Sequence, residues 1–322
     1  MGMILLAALS GRADVEFLWA VNGAGPAQPS SLYAINPSNG AVLGLIGACN
    51  AVTVSGLSKS PIDGALYATE GANSPHKLLR IDKTTGAATV IGSTGVGIMD
   101  TAFASDGTFY GWDASTSKLV TINLSTGAVT TIGSNFSTFR PAGISFTLDG
   151  TLVVETNFGT THAETFTVNK TTGNKITGPL NSTVTQMHNM LSTSASGALY
   201  AGSRVSGGTN LYLVNVATGV TTFVAMVSGL SLDGFTFDTA APPTFAVKGK
   251  KKIATTKASV TLKGTANSLL PLTVSAKGKS AKVTAGSWSL KVKLKKGKNK
   301  LTLVCADGMG QSVATKVTVT QN

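Results

Sequence analysis

Six polar residues interrupt an internal repeat of this chain at corresponding places: Ser55, Asp100, Arg140, His188, Asn189 and Asp233. Mixed charge of this kind can bind a polar ligand. Two carboxylates in such a set, Asp100 and Asp233, could also flank a glycosidic bond as acid and base or nucleophile, provided that they stand at a set separation. The repeat supplies no third acid at an equivalent place, because Glu155 and Glu164 fall on outer strands or loops. The competing explanation is that the six are solvated loop ends and pairs that fill a channel. Trp112 departs from the pattern of its own segment and offers an indole face on which a sugar ring can stack. Trp19, Tyr33, Tyr67, Tyr110, Tyr200 and Tyr212 recur at equivalent positions and are expected to pack between repeats.

Other chemistries find little support. The three histidines, His76, His162 and His188, are scattered, and no Cys-x-x-Cys or acidic calcium loop accompanies them, so no metal is expected. Gly95-Val-Gly97 precedes no helical pattern and is not a phosphate loop, and no cofactor motif occurs. Cys49 and Cys305 lie far apart in the chain. Cys305 shares strand parity with Leu301 and Leu303 and should point into a core as a small hydrophobe. Both thiols are expected to be free.

The elements that must position the six residues are written into two interlocking repeats. One is a five-residue turn: Asn36-Pro-Ser-Asn-Gly40, Asp82-Lys-Thr-Thr-Gly86, Asn123-Leu-Ser-Thr-Gly127, Asn169-Lys-Thr-Thr-Gly173 and Asn215-Val-Ala-Thr-Gly219. The leading Asn or Asp caps the turn with its side chain, and the closing Gly takes positive φ without a Cβ clash. The other is a tighter turn at Asp63-Gly64, Asp106-Gly107, Asp149-Gly150 and Ser196-Gly197. Short alternating runs flank both, so one unit reads strand, tight turn, strand, variable loop, strand, five-residue turn, strand. Four antiparallel strands in some forty-five residues make one propeller blade.

Complete blades begin near Val54, Ile98, Pro141 and His188, while Phe17 to Gly47 supplies three strands and Leu230 to Asp238 a lone one. Together these two fragments make a fifth blade that closes the ring and leaves no open edge. The stretch Leu78-Leu-Arg-Ile-Asp-Lys-Thr-Thr-Gly-Ala-Ala-Thr-Val-Ile-Gly92 resembles the L-Y-x-I-D-x-x-T-G-x-x-T-x-I-G repeat of bacterial secreted propellers. The resemblance covers residues 15 to 238. It implies a five-bladed β-propeller and says little of function, since propellers serve as lectins, adhesion modules, hydrolases and scaffolds.

Charge divides the chain. From Thr244 onward there are sixteen lysines and one acid, Asp307, for a net +15, and the remainder is −3. The expected organisation is a signal remnant over 1–13, a propeller over 14–238, a stiff linker over 239–243 and a basic domain over 244–322. Met3 to Leu9 reads as the apolar part of a secretory signal, with Gly11-Arg12-Ala13 as its cleavage site. No other segment approaches a membrane span. The basic part alternates in about seven short strands and, around Trp288, Gly297, Asn299, Leu301 and Leu303, resembles bacterial immunoglobulin-like domains. Its Ala306-Asp307 is shifted by one from their A-x-D-x-x-G ending. That resemblance implies a spacer or attachment β-sandwich.

Alternating lysines are the pattern of a half-exposed strand, and lysine on an edge blocks aggregation. A field of lysines with almost no acids also favours an anionic partner, and Lys293, Lys295, Lys296, Lys298 and Lys300 are its expected centre. No interleaved aromatics point to nucleic acid. The expectation is a secreted or cell-surface, non-enzymatic binding or scaffold protein. Its propeller would meet a glycan or protein, and its basic domain an anionic envelope polymer. A carbohydrate-active hydrolase or lyase with its site in the channel, and a purely structural surface module, are the alternatives.

Overall fold

The computed structural model describes residues 13–23, 28–71, 76–133, 143–156, 164–181 and 188–322. The expected signal segment up to Arg12, Arg140 and His162 lie outside the described residues. The chain divides into two compact units, Glu16–Asp238 and Thr239–Asn322, the latter with the residues up to Val15. Strands dominate both, and no helix occurs among the described residues.

The five-residue turns form as their spelling requires. Asp82 Oδ1 accepts from Thr84 N (2.7 Å) and Thr85 N (2.9 Å), Gly86 N donates to Asp82 O (2.8 Å), and Gly86 has φ 77°. Asn123, Asn169 and Asn215 cap their turns in the same way. Each turn joins the third and fourth strands of a four-stranded antiparallel sheet.

The first sheet holds β1 (Val15–Asn22), β2 (Ser31–Ile35) and β3 (Val42–Ala48). The second holds β4 (Val54–Lys59), β5 (Leu66–Glu70), β6 (Lys77–Ile81) and β7 (Ala88–Ser93). The third holds β8 (Ile98–Phe103), β9 (Phe109–Asp113), β10 (Lys118–Ile122) and β11 (Val129–Ile132). The fourth holds β12 (Gly143–Phe146), β13 (Leu152–Thr156), β14 (Glu164–Val168) and β15 (Lys175–Asn181). The fifth holds β16 (Met190–Thr193), β17 (Leu199–Val205), β18 (Gly208–Val214) and β19 (Thr221–Ser228). The last strand of the unit, β20 (Leu232–Ala240), pairs with β1 and completes the first sheet in the order β20-β1-β2-β3. Part of the segment expected as linker, Thr239 and Ala240, thus belongs to a strand.

Contacts between successive sheets explain a glycine in the sequence repeat. A Cβ on Gly47, at the end of the first sheet, would strike Thr85 O in the turn of the second, and one on Gly86 would come within 2.5 Å of Gly47 O. The Val-Ile-Gly ending of a repeat is therefore glycine because the next turn lies directly on it. The same contact recurs from Gly92 to Gly127, from Gly133 to Gly173, from Leu180 to Gly219 and from Met226 back to Gly40. The last of these brings the fifth sheet onto the first.

The second unit has β21 (Thr244–Val247), β22 (Lys252–Thr255), β23 (Ser259–Asn267), β24 (Leu272–Ala276), β25 (Lys279–Lys282), β26 (Ser287–Lys293), β27 (Gly297–Asp307) and β28 (Ser312–Gln321). They form a three-stranded sheet, β21-β23-β26, and a five-stranded sheet, β22-β28-β27-β24-β25. Phe245, Leu262, Trp288, Leu290 and Val292 from the first share one core with Val274, Leu301, Leu303, Cys305, Val317 and Val319 from the second. Alternation dictates this: β26 reads exposed-buried throughout, with Trp288, Leu290 and Val292 inward. Both cysteines are free and buried, and burial pushes each thiol up to about 11.

Candidate functional site

The first strand of each four-stranded sheet meets its neighbours through side chains. Ser58 Oγ donates to Thr101 O (2.7 Å), joining β4 to β8, and Thr101 Oγ1 returns a bond to Gly56 O. Asp100 Oδ2 accepts from Ile144 N (3.0 Å), joining β8 to β12. Ser145 Oγ lies 3.1 Å from Thr193 Oγ1, joining β12 to β16. Phe237 N donates to Ser192 Oγ (3.3 Å) and Lys59 N to Thr236 Oγ1 (3.2 Å), which carries the circuit through β20 and back to β4. Small hydroxyls thus stitch a ring of five inner strands.

At the finishing ends of these strands opens a cavity of about 340 Å³. Its wall takes Ser58, Thr101, Ser145, Ser192, Thr193 and Thr236 for hydroxyls, and Phe103, Phe146 and Phe237 for apolar surface. Lys59 stands at the same wall, its ammonium bound to Asp238 Oδ1 at 2.5 Å. Asp238 also accepts from Lys83 Nζ (2.7 Å) and Trp19 Nε1 (2.9 Å). Burial opposes ionisation of Asp238, but the bonds from Lys59, Lys83 and Trp19 outweigh it and hold the carboxyl below its ordinary value. The wall therefore offers hydroxyl donors and acceptors beside three phenylalanine side chains, the set that a neutral polyhydroxylated ring can use.

Among the described residues, none of those expected to bind a ligand lines this cavity. Ser55, Asp100, His188, Asn189 and Asp233 lie toward the opposite, starting ends of the inner strands, and the first four are buried. Asp100 reaches across the axis: besides Ile144 N it accepts from Leu191 N (3.1 Å), two sheets away. Burial pushes its carboxyl well above the usual carboxylate range, against the pull of those backbone N–H groups. Ser55 Oγ rests 3.4 Å from Ile98 O and is likewise buried. Neither is a solvated loop end.

His188 was expected at a mouth as a ligand-facing group. It is instead buried, with Nδ1 2.6 Å from Glu155 Oε2 and its ring tilted against Tyr212. Glu155, expected on an outer strand or loop, sits fully buried on the second strand β13 and also accepts from Thr165 Oγ1 at 2.8 Å. β13 is buried on both faces, and Glu155 shares the side of Val153, which packs on the fifth sheet, where a buried carboxylate needs these partners. Trp112 is no stacking platform: it is 1% exposed on β9 and packs in a core with Leu119, Ile144 and Val154. His76, expected in a loop, keeps that place with Nδ1 3.3 Å from Gly71 O.

Two of the expected residues do come together, around an arginine that the sequence did not single out. Arg204 Nη1 pairs with Asp233 Oδ1 at 2.7 Å, and its Nε lies 3.3 Å from the Asn189 amide oxygen once that amide is turned to donate to Gly202 O. Asp233 is mostly buried. That burial raises its carboxyl to about 6, and Arg204 offsets the rise only in part. Arg204 stands one residue before the end of the long strand β17, opposite Thr209, a position that only the β17–β18 register reveals.

The five expected lysines divide among three elements. Lys293 projects from the three-stranded sheet, Lys298 and Lys300 from the five-stranded sheet, and Lys295 and Lys296 lie in the connection between them. Asn299 secures that connection by accepting from Lys295 N (3.0 Å) and donating to Lys295 O (2.7 Å). Among the described residues no group of three or more metal-ligating side chains occurs.

Residues 7–149 match a family described as a repeat of unknown function (DUF6923), and residues 243–322 match one described as glucodextranase, domain B. No curated protein matches the chain. Solved structures similar to it include a chain from the nidogen/laminin complex, at 14% identity and a TM-score of 0.47, covering 69% of this chain and 98% of that one. A gluconolactonase from Xanthomonas campestris is similar at 10% identity and a TM-score of 0.43, covering 98% of both chains. A virginiamycin B lyase from Staphylococcus aureus is similar at 12% identity and a TM-score of 0.39, covering 89% of this chain and 83% of that one. With its repeated four-stranded sheets, the first unit is a repeat-built β-propeller.

Proposed function

We propose that this is an exported binding protein without catalytic activity. In this reading the five sheets are the blades of one propeller, which presents its hydroxyl-lined end to a glycan or to a glycosylated protein. The second unit is an immunoglobulin-like β-sandwich that attaches the propeller to an anionic surface.

One observation carries the binding reading. The open end of the inner strands converges hydroxyls from all five sheets and phenylalanines from three of them, while the carboxylates near the axis are engaged elsewhere. Asp100 is held by backbone amides, Glu155 by His188 and Thr165, Asp233 by Arg204 and Asp238 by two lysines. Sugar rings are recognised by polar groups at their edges and apolar surface at their faces. A glycan array with the full chain, repeated with Ser192→Phe to fill the cavity, tests this. Binding of one glycan class that the substitution removes supports the reading. Binding untouched by the substitution sinks it.

A specific feature favours the competing hydrolase or lyase reading. Asp233, with its carboxyl near 6, has the proton affinity of a general acid. Turnover of a sugar substrate that disappears in Asp233→Asn and Asp100→Asn would establish that reading in place of ours.

A further inference from the structure

We propose that the outer face of the five-stranded sheet, at Lys252, Lys298, Lys300 and Lys316, is where the second unit holds a linear anionic polysaccharide. The inference rests on the attachment reading above and assigns it to one face.

Register brings the four together. Lys252 on β22 stands opposite Thr318 on β28, which stands opposite Lys300 on β27. One row away Lys298 faces Thr320, and on the other side Lys316 faces Thr302. Alternation turns all four lysines outward, since Ile253, Leu301, Val317 and Val319 occupy the inward positions. Two-residue steps along a strand span about 6.8 Å and two strands about 9.6 Å, so the four ammonium groups share a patch with spacings near the Debye length of about 8 Å.

Edge protection accounts for lysines elsewhere in this unit. Lys291 and Lys293 lie on β26, the edge of its sheet, and Lys279 and Lys282 lie on the edge strand β25. Pairing at Lys298, Lys300 and Lys316 is one-sided too, since β24 meets β27 only from Val304 to Asp307 and β22 meets β28 only from Thr318 to Gln321. Edge protection does not account for four lysines that share one outward face with no acid among them. Like charges on adjacent paired strands repel each other. The acid of these five strands, Asp307, sits at the far end of β27 and caps Met309 N and Gln311 N. A polyanion supplies the missing counter-charge.

Chemistry narrows the partner. Threonines separate the lysines, and their hydroxyls can bond to sugar hydroxyls and carboxylates. The patch carries no aromatic on which bases would stack and no apolar wedge to enter a bilayer. Ammonium groups interleaved with hydroxyls suit a carboxylated sugar chain.

The test uses the full chain, immobilised polygalacturonate as the probe, and two variants matched in net charge. One is K252S/K298S/K300S/K316S; the other is K257S/K263S/K291S/K293S, which removes lysines of the opposite sheet and its approach. Charge-driven binding follows the number of counterions released, so the first variant should weaken binding at low salt by at least about tenfold and flatten its salt dependence. The second should change it by less than about threefold. Equal losses in the two variants would overturn the assignment to this face and leave attachment standing. No binding by the parent chain would overturn both. Tighter binding of the parent to anionic phospholipid vesicles or duplex DNA than to polygalacturonate, at equal charge, would overturn the polysaccharide.

Discussion

The two ends of the five inner strands use polar residues in opposite ways. At the starting end the polar groups are few, large and ionisable, and each is consumed by the fold: Asp100 by two backbone N–H groups, Glu155 by His188, Asp233 by Arg204. At the finishing end, the paired Lys59 and Asp238 apart, they are many, small and neutral, and a cavity remains among them. A hydroxyl has one proton and two lone pairs, so Ser58 or Ser145 can stitch two strands and still meet a ligand. A buried carboxylate is too costly to leave with spare capacity. Polarity that breaks the repeat therefore marks structural plugs here, and polarity that follows it marks the open site.

Removing a plug should have the largest effect. Asp100→Leu leaves Ile144 N and Leu191 N buried without an acceptor, at about 1–3 kcal/mol for each. Chemical denaturation should show a loss of several kcal/mol, while Asp100→Asn, which retains an acceptor oxygen, should lose much less. A Leu variant as stable as the Asn variant would show that Asp100 joins nothing across the axis.

Asp233 should report itself through pH. Its folded carboxyl, raised to about 6, binds a proton more tightly than in the unfolded chain. Between about pH 4 and pH 6 the folded state therefore holds the extra proton, and stability falls as pH rises through that window. A shift of about two units is worth roughly 3 kcal/mol at most. The difference in unfolding free energy between the parent and Asp233→Asn, measured at several pH values, should grow across this window in favour of Asn and level off above it. A difference that stays flat with pH would place Asp233 in solvent rather than in the starting-end plug.

How much of this was legible in the sequence follows the same division. The turns were legible because Asn, Asp and Gly are chosen by local backbone geometry, as at Asp82 and Gly86. The lone strand Leu232–Ala240 was legible because the repeat count left one strand over. The candidate cavity was not, because its hydroxyls follow the repeat while the residues that depart from it, such as Asp100 and His188, are buried. Ser58, Ser145, Ser192 and Thr236 recur in successive inner strands, and a small hydroxyl that follows the repeat carries no mark in the sequence. Glu155 and Arg204 needed pairing register, which no spacing rule supplies. The lysines needed the division of strands between two sheets: Lys293 and Lys298 are close in sequence yet leave different sheets.

The finishing end should show the smallest loss of stability and the clearest change in binding. Ser145→Ala removes a contact to Thr193 Oγ1 and a long one, 3.4 Å, to Phe146 O, and leaves no ionised group behind. Such a bond contributes about 0.5–1.5 kcal/mol, and Thr193, half-buried beside the cavity, can turn to water instead. The melting temperature should therefore move by a few degrees at most. Binding of a glycan identified on the array should nevertheless weaken by about tenfold, since a recognition site whose polar partner is removed from a bound hydroxyl leaves that hydroxyl unpaired. Asp233→Asn should leave the same affinity unchanged, because its carboxylate stands at the other end of the strands and is already bound to Arg204. Were Asp233→Asn to abolish binding while Ser145→Ala bound as the parent does, the two ends would exchange roles: the hydroxyl ring would be mortar between blades, and the ligand would enter beside Arg204.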